Sequence, residues 1–473
     1  MGLGYYFRTY VLIVATVIAF NPFPIPPIFM SEPETVTEAR LQDLRHFRHV
    51  GKNERSFTEE SRAAFDARLA EVTANIETLT DAEFMLGLAQ VQATIDNGHS
   101  NTSYTRLVQN FPRLPVRSAW FEQELRILRV LPGFEDLLGA EITHINDVTV
   151  MSAASAFRSA FGGNDQNFAG GNPLLLETPA MLTAVGMMEN ETDVRLRLVL
   201  PNGVTVSRTL SPVEPTEGAR RIYPEQLQFP WNLESANWIP LIPASRDGEV
   251  PLYLRYPEQE YWMEVLPETN AVYINMRRNY SDDDMTESLT EFLARISVEI
   301  AELSPRTIIV DHRMNSGGDF TKSAEFMTSL GELVGDGRIY MLTGGSTFSA
   351  GIVNLAFAEQ AAPEQVFFVG SPIGDRLQFW AEGAWFDLPN SKFFARFSTG
   401  YYDLQNGCEG LFRCHWGSLH LMPLIVNDLD VDIAAPMTFE DYVAGRDPAM
   451  RSINWGEMAR QWDREDWDTL NHP

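Results

Sequence analysis

Thr307-Ile308-Ile309-Val310-Asp311-His312-Arg313-Met314-Asn315-Ser316-Gly317-Gly318-Asp319 is followed, one helical stretch later, by Arg338-Ile339-Tyr340-Met341-Leu342 and Thr343-Gly344-Gly345-Ser346-Thr347-Phe348-Ser349-Ala350-Gly351. Each half is a short apolar run that stops at a polar, glycine-rich turn. Apolar runs bounded by turn signals predict buried strands of a parallel sheet covered by helices. Lys322 to Leu333 and Ala350 to Ala361 carry small and apolar residues at helical spacing. The plan is therefore strand, glycine turn, helix, twice over. In open α/β sheets, ligands bind beyond the carboxyl ends of the strands, where a helix N-terminus also offers backbone N–H groups to an anion. Ser349 stands at such a place. It reads either as an exposed nucleophile with oxyanion donors beside it or as a helix N-cap, a position serine favours.

The 473 residues suffice for two or three domains, and 44% hydrophobic content is that of a globular protein. A net charge of −28, with no Lys/Arg-rich run, excludes a nucleic-acid partner and otherwise serves solubility. The only cysteines, Cys408 and Cys414, would close a small disulfide loop in an exported protein and remain free thiols in a reducing compartment. With no second cysteine pair, they do not describe a zinc site. Val11 to Phe20, after Arg8, is an apolar core shorter than the roughly 20 residues of a membrane span. It predicts a signal peptide, or an uncleaved anchor, and an exported protein outside the cytoplasm, periplasmic, extracellular or membrane-anchored. No later segment is apolar enough to span a membrane.

Outward from the central stretch, residues 33 to about 95 are polar and helical, with Asp81 as the expected cap of one helix. They lead into the turn Asp96-Asn97-Gly98-His99-Ser100. Among the eight histidines, His99 is the best placed general base. Its other reading is a surface turn histidine. His312 reads as structural support of the glycine turn, and His144 as packed in a strand. Residues 115–212 are β-rich. Within them, Leu137 to Val150 resembles the part of PDZ domains where a strand precedes an Ile-Asn-Gly turn, with Asp147 in place of the glycine. PDZ domains take peptides by strand addition. A Gly-rich insertion, Phe161 to Met188, reads as a mobile loop, and 213–260 as a connection.

Taken in order, these motifs resemble the tail-specific, or C-terminal processing, serine proteases, in the tricorn-like branch. The resemblance rests on Asp96-Asn97-Gly98-His99-Ser100, Asp311 to Asp319, Thr347 to Gly351, Leu388-Pro389-Asn390-Ser391 and Ala444-Gly445-Arg446-Asp447-Pro448. It implies a multidomain α/β protein. Its ClpP/crotonase-like core, 261–448, would carry an N-terminal helical subdomain (33–114) and an inserted PDZ-like domain (115–212), between a signal segment (1–32) and a tail (449–473). It also implies that Ser349 attacks a peptide carbonyl and forms an acyl-enzyme, with oxyanion donors from Ala350 and from Gly317 or Gly318. Where part of the family uses a lysine base, this chain has Arg376, which stays protonated. His99 is then the expected base, oriented by Glu409 or, alternatively, Asp403. The expected partner is a peptide or protein substrate, with no cofactor and no metal, and the oligomeric state is left open. Ile352 stands where many members have Glu, and Ser371 and Ile373 replace the Glu and Thr of a Gly-Glu-Pro-Thr pattern. Similar modules also carry lipids without proteolysis, so a non-catalytic binding protein is the second expectation.

Overall fold

Thr-capped helices open the folded part of the chain. The computed structural model describes residues 30–215, 224–230, 237–281, 285–408, 414 and 423–453. The apolar N-terminal segment, Glu409, His415, His420 and the tail beyond 453 lie outside the described residues. Contacts divide the chain into two units. One holds residues up to Gln109 with Ser159–Gly162 and Trp380–Tyr401, and the other holds the remainder.

In the first unit, α1 (Val36–Asn53), α2 (Glu59–Ala74) and α3 (Asp81–Ala93) follow Thr35, Thr58 and Thr80. Each threonine accepts an N–H from the first turn, which offsets a donor the helix itself cannot satisfy. The cap of α3 is therefore Thr80, one residue before the expected Asp81. Thr80 and Glu83 close a reciprocal capping box, while Asp81 pairs with Arg40 at 2.7 Å. Phe47 of α1 stacks on Phe65 of α2 and meets Phe393 edge-on, both at 5.9 Å. Phe393 belongs to the connection of a hairpin, Ala384–Asp387 with Phe394–Phe397. The backbone N–H groups of Asn390 and Ser391 in that connection donate to the buried Asp43 carboxylate at 2.9 and 2.8 Å. A segment some 300 residues downstream in the chain thus completes the helical unit.

The second unit contains two sheets. The first runs β1 (Val116–Phe121), β2 (Glu124–Val130), β3 (Glu141–Ile145), β4 (Val194–Val199) and β5 (Thr205–Leu210) in spatial order, all neighbours antiparallel. The alternating burial of β4 is that of a sheet with one face on a core. Ile239–Pro240, from the segment expected to be a mere connection, pairs with β2. Leu227, Phe229, Tyr253 and Leu254 of the same segment are buried with Phe121 and Tyr442.

The Gly-rich insertion carries secondary structure of its own. It forms three short helices, α4 (Asp165–Gly171), α5 (Pro173–Leu176) and α6 (Pro179–Ala184), because Leu174, Leu175, Leu176, Met181 and Leu182 all find buried positions. Between α5 and α6, Glu177 reaches the free edge of β1. Its carboxylate accepts the Ser118 N–H at 2.7 Å and the Ser118 hydroxyl at 2.9 Å, and it pairs with Arg113 at 2.6 Å. Its backbone carbonyl accepts the Leu114 N–H at 2.8 Å. The edge group that strand addition would use at Ser118 is already occupied.

The second sheet is the core. Its order is β11 (Ile433–Ala434), β10 (Val366–Gly370), β9 (Arg338–Thr343), β8 (Thr307–Asp311), β7 (Ala271–Met276) and β6 (Tyr261–Leu266). All pairs are parallel except β6 with β7. Asp311 lies level with Asn275 and Leu342, and Thr343 with Gly370, so the carboxyl ends share one edge. The crossover helices are α7 (Leu289–Leu303), α8 (Ala324–Val334) and α9 (Ala350–Ala361). Helix α9 is buried at every position from Ala350 through Ala358, as a central crossover requires. Cys408 and Cys414 are disulfide-bonded. Among the described residues, no helix is long and apolar enough to cross a membrane.

Candidate active site

Ser349 occupies the junction between β9 and α9 with φ 53° and ψ −123°. Only glycine adopts this region freely, and a side-chain-bearing residue held there costs on the order of 1–3 kcal/mol. Its side chain accepts no capping hydrogen bond, so the N-cap reading of this serine has no bond behind it. The carbonyl of Ser349 instead accepts the N–H groups of Ile352 and Val353 at 3.0 and 3.2 Å, which starts the helix. Thr347 fixes the approach: its hydroxyl donates to the His312 carbonyl at 2.8 Å and accepts the Gly344 N–H at 3.0 Å.

The glycine turn after β8 lies directly against this serine. Gly317 has φ +111°, and a Cβ placed there would stand 2.6 Å from Ser349 Cβ and 3.1 Å from Ser349 Oγ. Gly318, at φ +134°, would drive a Cβ to 2.7 Å from the Asn279 carbonyl carbon. Of the three expected oxyanion donors, Gly317 is engaged, since its N–H donates to Asn315 Oδ1 at 3.0 Å. The N–H groups of Ala350 and Gly318 make no hydrogen bond among the described residues. The site therefore presents a strained serine with two available backbone donors beside it.

Two side chains at the end of β8 support the turn. Arg313 meets Asp311 at 2.5 Å and Asp447 at 2.8 Å, and lies 4.0 Å from the centre of the Tyr253 ring. Tyr273 adds its hydroxyl to Asp311 at 2.7 Å. Burial works against the Arg313 charge, but the two carboxylates overcome it and hold its pKa well above the ordinary value. His312 is fully buried and accepts the Asn354 amide N–H at Nε2, 2.9 Å away. It is structural, and burial pushes its pKa down to about 4 against the opposing charge of Asp311.

That shift has a sign. The unfolded histidine binds its proton near pH 6.5, and the folded one near 4. Stability from this group is full above 6.5 and is lost as pH falls toward 4, by roughly 3 kcal/mol over the window. Denaturant melts at pH 7 and pH 4.5 should show the loss in the wild type and a smaller one in His312→Asn. Equal losses would remove His312 from the account.

In the other unit, His99 sits on a short 3-10 turn, Gly98–Ser100, and is 2% exposed, so it is not a surface histidine. A buried network fixes the turn. Ser100 Oγ donates to Glu54 Oε2 at 2.8 Å, the Ser398 N–H donates to the same oxygen at 2.9 Å, and Asn97 Nδ2 donates to Ser100 Oγ at 2.9 Å and to the Trp380 carbonyl at 2.9 Å. Asp403 is occupied elsewhere. Against the cost of burial, N–H groups of Gln405, Asn406 and Gln378 hold its carboxylate below the usual range. Arg376 is exposed, and its N–H closes on Asp375.

Asn279, Asn354 and Glu54 escaped the sequence reading. Asn279 ends the run Met276-Arg277-Arg278-Asn279, a polar step just past a predicted strand, which was its only signal. A cleft of about 970 Å³ opens at the strand ends, lined by Met314, Gly344, Ser346, Gly370, Phe121 and Phe439 among others. No group of His, Cys, Asp and Glu among the described residues is placed to hold a metal ion.

The architecture is a multidomain α/β fold shared with mature CPAF. The structure that carries this likeness is mature CPAF, which aligns over 91% of this chain and 99% of its own at a TM-score of 0.54 and 12% identity. Mature CPAF complexed with lactacystin aligns over 90% and 99%, at 0.51 and 12%. The photosystem II D1 C-terminal processing protease aligns over 87% and 98%, at 0.36 and 11%. No family profile and no curated protein sequence matches the chain. At these identities, the likeness establishes the fold.

Proposed function

We propose that the chain is a serine-type peptidase that hydrolyses peptide bonds in peptide or protein substrates. The observation that carries this is the strained Ser349 turn with the unengaged Ala350 and Gly318 N–H groups beside it. Ser349 Oγ adds to the scissile carbonyl carbon, and its proton passes to His99. The resulting oxyanion receives the two N–H groups. Collapse breaks the C–N bond, and the proton held by His99 goes to the leaving amine. Water, deprotonated by the same histidine, then cleaves the acyl-enzyme and returns Ser349 to its starting form. Orientation of His99 comes from the Glu54, Asn97, Ser100 and Ser398 network around its turn. Ile352, where many members of the family this chain resembles have Glu, is fully buried in α9.

A fluorophosphonate probe tests the reading. Labelling of Ser349, competed by a peptide substrate, is the expected result. A folded chain that stays unlabelled would leave a binding protein on the same scaffold.

The N-terminal apolar segment and the Cys408–Cys414 disulfide support a place outside the cytoplasm, by signal peptide or anchor. Cell fractionation should find the protein with the envelope or exported material. A cytoplasmic pool with an intact N-terminus and two free thiols would overturn this.

A further inference from the structure

Helix α9 carries a polar residue where its surroundings ask for an apolar one. Asn354 is fully buried among Ile352, Val353, Leu355, Ala356 and Phe357, and asparagine is a poor residue for a helix interior. A buried amide is tolerated when its hydrogen bonds are made. Asn354 makes all four. Its Nδ2 donates to His312 Nε2 at 2.9 Å and to Asn279 Oδ1 at 3.2 Å, and its Oδ1 accepts from Ser323 Oγ at 2.7 Å and from Asn279 Nδ2 at 3.2 Å.

Asn279 is the centre of this cluster and is also fully buried. Besides Asn354, its Nδ2 donates to Ser323 Oγ at 2.6 Å, and its Oδ1 accepts from Asn315 Nδ2 at 2.8 Å. Its backbone brackets Gly318. The Asn279 N–H donates to the Gly317 carbonyl at 2.7 Å, and the Asn279 carbonyl accepts the Asp319 N–H at 2.9 Å. Asn315 closes the circuit: its Oδ1 takes the Gly317 N–H at 3.0 Å, and its carbonyl takes the Phe348 N–H, next to Ser349, at 2.9 Å.

We infer that Asn279 and Asn354 are positioning residues for the oxyanion donors, tying the Gly318 N–H on the glycine turn to the Ala350 N–H on α9 at a fixed separation. This rests on the peptidase reading of Ser349. The two donors belong to different segments, so neither alone determines the cradle. Asn279, Asn315, Asn354 and Ser323 join those segments through side chains, beside the Thr347 hydroxyl on the His312 carbonyl. A fully satisfied polar network specifies one arrangement where apolar packing would accept several. The oxyanion forms only after attack, so a displaced donor weakens the transition state and leaves the bound substrate untouched.

The test uses the full chain with Asn279→Ala and Asn354→Ala. Each variant is titrated with a fluorophosphonate to count competent serines, then assayed for kcat and KM on a peptide. The expected result is a kcat per labelled site lower by about 10²-fold, an unchanged KM, slower labelling and a final stoichiometry near one. A merely structural role would lower the stoichiometry or raise KM and leave kcat per labelled site within about threefold of wild type, and that result overturns the inference. Should Asn279→Ala fail to fold, Asn279→Asp carries the test, since it keeps the shape and the accepting oxygen and loses both Nδ2 bonds. A wild-type chain that neither labels nor hydrolyses overturns the peptidase reading itself, and this inference with it.

Discussion

Ser349→Ala is expected to lower peptide turnover by about 10⁶-fold and to end fluorophosphonate labelling, while the fold persists. His99→Ala should cost a comparable factor, and the double variant little more than either. The reason is that a serine hydroxyl is a weak nucleophile until a base takes its proton, so nucleophile and base act as a unit. What survives is the contribution of the backbone donors, about 10³-fold over water, because Ala350 and Gly318 are unchanged by either substitution. Melting temperatures should hold for Ser349→Ala, which removes only a hydroxyl and relieves nothing in the core. Arg376→Ala should keep turnover within a few fold, because an exposed, permanently charged guanidinium cannot be the base. Near-full peptidase activity in His99→Ala would remove the histidine from the mechanism and leave Ser349 with another base.

The second large effect is on stability. Arg313→Ala should destabilise the second unit by about 3–5 kcal/mol, read from denaturant midpoints. Arg313 is the shared partner of Asp311 and Asp447, which are 2% and 8% exposed. Its removal leaves two carboxylates out of water without a cation, with the Tyr273 hydroxyl and the residue-313 N–H on Asp311 and the Ala449 and Met450 N–H groups on Asp447 as partial compensation. The cost is that of uncompensated buried charge, which exceeds what the ion pairs themselves contribute. Arg313→Lys should recover only part of it, because a point charge cannot reproduce the fork that meets both carboxylates. A loss under 1 kcal/mol in Arg313→Ala would mean that water or Tyr253 rearranges to serve the two acids.

Much of the core was legible because its signals are local. Helix α9 was expected at Ala350–Ala361 and is found there, since small and apolar residues at helical spacing lie between a glycine turn and Ala362-Pro363. Strand β8 and its turn were readable from Thr307 to Asp319 for the same reason. The positioning groups were not. Asn279 lies 75 residues from Asn354, and no spacing rule links them; only the parallel register of β7 with β8 brings the end of one strand beside the turn of the other. Asp311-x-Arg313 and Asp447-Pro448 looked like two separate landmarks and are one ion cluster. The insertion carries Gly162-Gly163 and Gly170-Gly171, which suggested mobility, whereas the leucines after them find buried positions in short helices.

An outermost strand is a template: its unused N–H and carbonyl groups can recruit the same strand from another copy and seed a stack. On β1, the Glu177 carboxylate sits on that template at Ser118, with Arg113 holding it in place. An incoming strand would have to expel a charge already paired and hydrogen-bonded, and would bring only neutral carbonyls in exchange. The chain thereby carries its own colloidal safeguard on the edge between Pro115 and Phe121, which matters most at high local concentration.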